Sequence, residues 1–99
     1  MTTRKYYTYI LGCADDSYYV GVTNNLERRL EEHQQGIHPE SYTYSRRPIK
    51  LLYYEETQYI LNAIRREKQL KRWSRKKKEA LINSNLKELK NLSKKDFSK

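Results

Sequence analysis

A single cysteine, Cys13, among 99 residues excludes an intramolecular disulfide, and without clustered His or Cys partners it excludes a zinc site as well. A cytoplasmic compartment is expected. Phenylalanine and tryptophan occur once each, and the apolar fraction is only 36%. No run approaches the ~18 apolar residues that a membrane-spanning helix needs. Thr2 to Lys5 followed by Tyr6 to Leu11 loosely imitates a signal peptide, but tyrosines break the apolar segment and Asp15 and Asp16 follow without a cleavage site. The length suits one domain with one modest core and no second module.

What is present is tyrosine and positive charge. Ten tyrosines take over part of the work that leucine and phenylalanine do elsewhere. The formal charge of +9 favours a polyanionic partner, for which phosphate backbones and anionic membranes are the usual candidates. That charge is concentrated. Between Arg65 and Lys78 stand Arg65, Arg66, Lys68, Lys71, Arg72, Arg75, Lys76, Lys77 and Lys78 against one acid, Glu67. The segment contributes +8 and the rest of the chain +1, and with Trp73 interleaved it reads as a nucleic-acid footprint rather than a solubilised helix face.

Tyr6 to Leu11 alternates Tyr7, Tyr9 and Leu11 with Tyr6, Thr8 and Ile10, a period of two in strand-favouring residues. Gly12 to Ser17 supplies turn chemistry, and Tyr18 to Val22 returns antiparallel, since so short a connection makes no parallel crossover. A turn centred on Asp15 and Asp16 places Tyr9 and Tyr19 on opposite faces, whereas an odd-length loop such as Gly12 to Asp16 places them on the same face. The sequence permits both.

Thr23 or Asn24 can cap a helix that carries Leu26, Leu30 and His33 at i, i+4, i+7 and ends before Gly36. Arg29 and His33 share one side of it, beside the apolar stripe. Ile37 to Arg47 reads as a loop, ended by Pro48. Ile49 to Glu55 is expected as a third strand central enough to bury Leu51 and Tyr53. A second helix is expected from about Tyr59 to Trp73, with Ile60, Ala63, Ile64, Leu70 and Trp73 as its stripe and Glu67 inside that stripe. A carboxylate there is costly unless it is paired or holds a metal. Ser74 can cap a third helix through Asn83. Residues 1–83 are expected to form the domain, and 84–99 a basic tail that is a weak helix or frayed.

Tyr7-Thr8-Tyr9, then Tyr19-Val20-Gly21, then Asn25-Leu26-Glu27-Arg28-Arg29-Leu30 with His33, then Ala63-Ile64-Arg65-Arg66-Glu67 together resemble the GIY-YIG nuclease superfamily. The likeness is greatest to its small standalone members and spans roughly Tyr6 to Ile82. It implies an α+β fold, a three-stranded antiparallel sheet flanked by helices, with a phosphodiester-cleaving site on one face of the hairpin. By the same resemblance Tyr9 and Tyr19 match the two motif tyrosines, Gly21 the close-packed glycine, Arg29 the catalytic arginine, His33 its support, and Glu67 the ligand of one divalent metal ion, Mg²⁺ or Mn²⁺. Tyr7 and Thr8 depart from the Gly and Ile of the family motif at positions that carry backbone pairing.

These assignments imply a metal-dependent DNA endonuclease, structure-selective or of low specificity, in repair or recombination, with DNA favoured over RNA and a protein partner able to supply target choice. The alternative is a catalytically silent nucleic-acid-binding module on the same fold. The bland readings are specific too. Tyr9 and Tyr19 can be cross-strand packing, Arg29 with His33 a solvated pair, and Glu67 an ion-pair partner of a nearby Arg or Lys. Cys13, Trp73 and His38 are read as structural or surface residues.

Overall fold

The alternation in the first strand gives the sheet two faces with different duties. The protein, described here from a computed structural model for residues 4–84, has strands β1 (Tyr6–Gly12), β2 (Tyr18–Thr23) and β3 (Lys50–Thr57) and helices α1 (Leu26–Gln35) and α2 (Ile60–Arg72). A third helical segment, α3, occupies residues 75–84, and the expected tail at 85–99 lies outside the described residues. The fold is α+β, with one antiparallel sheet in the order β2-β1-β3 and helices on its faces.

β1 is the central strand because it pairs with both others. Tyr9, Ile10 and Leu11 are consequently fully buried in succession, as happens only when both faces are covered. Each such side chain contributes about 1.5–3 kcal/mol by leaving water. β3 is an edge strand, not a central one, so Leu51 and Tyr53 are half-buried rather than buried. It also runs two residues further than the sequence suggests, to Thr57.

The hairpin register decides where the phenols point. Gly12 pairs with Tyr18, which leaves the five residues 13–17 as the loop, and Cys13 N–H donates to the Ser17 carbonyl at 2.9 Å. Asp16 turns the corner at φ 67°, a region that Asp tolerates better than most residues. With this odd-length loop Leu11 faces Tyr19 and Tyr9 faces Gly21, so both tyrosines project from the same face.

α1 covers that face, with Leu26 and Leu30 against Tyr9, Leu11 and Ile49. Its cap is Asn25, whose Oδ1 accepts from Arg28 N–H at 3.1 Å, rather than Thr23 or Asn24; the Thr23 hydroxyl instead accepts from Asn25 N–H. Gly36, at φ 67°, ends the helix by donating to the Glu32 and His33 carbonyls. α2 covers the opposite face. Thr8 Oγ1 donates to the Ala63 carbonyl at 2.9 Å, and Leu70 packs with Ile10, Val20 and Ile82. Ser74 Oγ accepts from Lys77 N–H at the start of α3. Among the described residues no helix is long and apolar enough to cross a membrane.

Candidate active site

Tyr9, Tyr19 and His33 form one aromatic cluster between the hairpin and α1. Ring centroids lie 6.3 Å apart for Tyr9 and Tyr19, 6.0 Å for Tyr9 and His33, and 5.2 Å for Tyr19 and His33. Gly21 makes room for it. A Cβ at that position would lie 2.5 Å from the Tyr9 phenol oxygen and 3.0 Å from the Tyr19 ring. Real Cβ atoms do not approach so closely, so the glycine is required by the space its neighbours occupy.

The two phenols differ in their surroundings. Tyr9 is wholly buried, and its hydroxyl lies 2.9 Å from His33 Nε2. Burial, then the neighbouring Tyr19, push its pKa up, while the charge of the Arg29 guanidinium pulls back. Tyr9 is thus a neutral phenol at physiological pH. Tyr19 is half-buried and stacks on Tyr42 with an interplanar angle of 22°. Burial and the Arg29 charge hold His33 below its ordinary pKa.

Arg29 lies one turn before His33 on α1. Its Nε donates to Glu32 Oε1 at 3.1 Å, which fixes the stem of the guanidinium while a third of the side chain stays exposed. The loop at 37–47, which has no periodicity to read, supplies more of the site than its sequence suggests. Thr43, 1% exposed, bonds His33 Nδ1 at 2.7 Å. Arg46 lies 3.8 Å over the Tyr42 ring and donates to Asp15 in the hairpin loop at 3.0 Å. Thr43, Tyr42, Glu32 and Arg46 are therefore parts of the site that sequence reasoning misses. Their types are common in solvated loops and helices, and only the fold brings them here.

Glu67 comes from the other side. It belongs to α2, which packs on the Thr8 and Ile10 face, and its half-buried carboxylate is paired with Lys71 Nζ at 2.8 Å. Lys71 in turn lines an open groove with Tyr18, Tyr19, Val20, Tyr42 and Lys78. Glu67 thus belongs to the α2 side of the sheet and the phenol cluster to the α1 side. No group of three or more His, Cys, Asp or Glu able to hold a metal occurs among the described residues.

The basic segment divides into two kinds of residue. Arg65, Lys68, Lys71, Arg72, Arg75, Lys76 and Lys77 are exposed. Arg66 is instead drawn inward, with Nη2 donating to Glu55 at 2.9 Å on β3 and the guanidinium 5.2 Å from the Trp73 ring centroid. Arg75 lies over Tyr18 and pairs with Glu79. Cys13 is buried, and its thiol pKa is raised by that burial. His38 stands at the surface between Glu32 and Glu40.

Comparison with known proteins fits this geometry. The model of the GIY-YIG catalytic domain matches residues 5–80. A UPF0213 protein of Syntrophus aciditrophicus is 44% identical over 81 residues, covering 82% of this chain and 93% of the relative. A UPF0213 protein of Bacillus pumilus is 42% identical over 83% of each. Among solved structures, the UPF0213 protein BH0048 of Bacillus halodurans is 37% identical with a TM-score of 0.53, over 80% of this chain and 83% of that one. The protein EF2693 of E. faecalis is 32% identical with a TM-score of 0.58, over 82% and 85%.

Proposed function

Since this chain belongs to the GIY-YIG catalytic-domain family, we propose that it is a metal-dependent endonuclease that hydrolyses DNA phosphodiester bonds. The observation that carries the proposal is the gathering of Tyr9, Tyr19, Arg29 and His33 on one face of the sheet, beside a groove that two lysines line.

In such a reaction water attacks phosphorus and an alkoxide leaves, so negative charge builds on the phosphoryl oxygens. Arg29 meets that charge. Its position is set by Glu32 and it remains exposed enough to present a fork to a phosphate. Tyr19 is the phenol at the groove and orients the attacking water. Tyr9, sealed from solvent, acts on Arg29 and His33 rather than on substrate.

The donor chemistry fits one Mg²⁺ or Mn²⁺ at Glu67. Such an ion keeps several waters and takes few protein ligands, so a single carboxylate with substrate phosphate suffices. The Lys71 partner is half-exposed, and an exposed i,i+4 pair is worth only about 0.3–0.5 kcal/mol, so it yields to a divalent cation. When bound, the ion neutralises developing phosphoryl charge and stabilises the leaving oxygen. The exposed cations of α2 and α3 hold the strand, DNA in preference to RNA. A repair or recombination role, target choice set by a protein partner, and a cytoplasmic compartment that keeps Cys13 reduced complete the reading.

A second reading, a binding module without catalysis, draws on the Glu67–Lys71 pair, which neutralises the carboxylate without metal. Incubation with Mg²⁺ or Mn²⁺ and a panel of single-stranded, duplex, flap and junction DNAs separates the two, with Arg29→Ala and Glu67→Gln run alongside. Metal-dependent cutting lost in both variants supports the enzyme. Cutting that survives both substitutions, or uniform binding without cutting, overturns it.

A further inference from the structure

We infer that Thr43 is a positioning residue that completes a buried hydrogen-bond chain running from Tyr9 through His33 to Ser41, and so holds the tautomer of His33. Its effect on cleavage rests on the nuclease reading above; the tautomer does not.

The Tyr9 phenol has one hydrogen to place. Tyr9 is 0% exposed, and a buried hydroxyl hydrogen without an acceptor is costly. Its partner is His33 Nε2 at 2.9 Å. Nε2 must then carry a lone pair and no hydrogen, and a neutral imidazole in that state carries its hydrogen on Nδ1. Nδ1 lies 2.7 Å from Thr43 Oγ1, which accepts. The Thr43 hydroxyl hydrogen is thereby free to donate to Ser41 Oγ at 3.1 Å.

Every proton in the chain has a place, and all point away from Tyr9. No buried side-chain nitrogen or oxygen lacks a partner among the described residues, as this assignment demands. Reversing any one link strands a donor against a donor, so the links stand or fall together. Thr43 is the member that completes the chain. It is buried, it is held by the Ser41 bond, and it offers Nδ1 an oxygen where a carbon would leave Nδ1–H unsatisfied. The His33 tautomer then fixes the direction of the Tyr9 hydroxyl.

The test compares wild type, Thr43→Val and Thr43→Ser by ¹⁵N NMR of the His33 ring and by steady-state cleavage. Wild type and Thr43→Ser are expected to show His33 protonated at Nδ1 alone. Thr43→Val, close in volume but without the oxygen, is expected to shift His33 toward the Nε2–H form and to lower kcat by at least about tenfold with KM little changed. Recovery of kcat in Thr43→Ser supports positioning rather than packing. A wild-type His33 protonated at Nε2 overturns the inference, as does a folded Thr43→Val with unaltered tautomer and kcat. Should Thr43→Val not fold, the wild-type and Thr43→Ser spectra decide the matter. If wild type cuts no DNA with either metal, the nuclease reading fails, and the NMR comparison still judges the chain.

Discussion

Gly21 stands opposite Tyr9 in the β1–β2 pairing, and the space its missing Cβ leaves is filled by the Tyr9 phenol. Gly21→Ala should therefore cost about 1–3 kcal/mol of stability, because the phenol is anchored to His33 and has nowhere to go. Urea unfolding measures the loss. Cleavage should fall by more than the unfolded fraction accounts for, since the substitution moves the phenol itself.

Arg29→Lys separates charge from shape at the phosphate. A lysine keeps the charge but loses the two-pronged fork. Cleavage should drop by about 10²-fold or more, while the affinity for uncut DNA changes little. Single-turnover cleavage and equilibrium binding on the same substrate give the two numbers. Equal losses in both would make Arg29 a binding residue only.

Glu67→Gln keeps size and hydrogen bonding while removing the charge that a divalent ion needs. Mn²⁺ binding followed by electron paramagnetic resonance should be lost, with the thermal midpoint close to that of the wild type because the Lys71 pair is half-exposed and worth little. Unchanged Mn²⁺ binding would remove Glu67 from the site.

His33 carries a pH signature. Its folded pKa lies below the ordinary 6.5 because of burial and then Arg29, so the unfolded chain binds a proton that the folded chain refuses. Stability from this group is complete above the unfolded value and is lost as pH falls through 6.5 towards the folded value. The urea midpoint should decline between about pH 7.5 and pH 5.5, and the decline should be smaller in His33→Gln.

The basic segment should divide by function under substitution. Alanine at exposed Lys68 or Arg72 should weaken binding across all DNA sequences and reduce the slope of log affinity against log salt by roughly one unit per cation. Alanine at Arg66 should act mainly on stability, because Arg66 spends its charge on Glu55. A salt titration beside a denaturation curve distinguishes them.

Much of the fold is legible in local patterns. Period two in Tyr6 to Leu11, the glycine that ends Leu26–Gln35, and the Ala63 to Leu70 stripe all appear where the sequence places them, while the helix cap falls one residue later than expected, at Asn25. What is not legible is non-local. The parity of the hairpin loop could not be chosen from turn residues alone, because Asp16 as well as a glycine can take the positive φ. The edge position of β3 depends on β1 pairing twice, which no property of residues 50–57 encodes. At the site, Arg29 and His33 announce themselves by helical spacing. Thr43 and Arg46 do not, since their partners lie 10 and 31 residues away in sequence.

β1 divides its labour by parity. Tyr9 and Leu11 serve the α1 side, while Thr8 and Ile10 seat the helix that brings Glu67. A slip of one residue would exchange the two sets, putting the phenol under α2 and a short threonine side chain where His33 meets the Tyr9 hydroxyl. No misaligned compact form can retain half a site. Any cleavage measured in a refolding or mutant population therefore counts correctly threaded molecules, and specific activity becomes a gauge of strand alignment that secondary-structure spectroscopy, blind to parity, cannot provide.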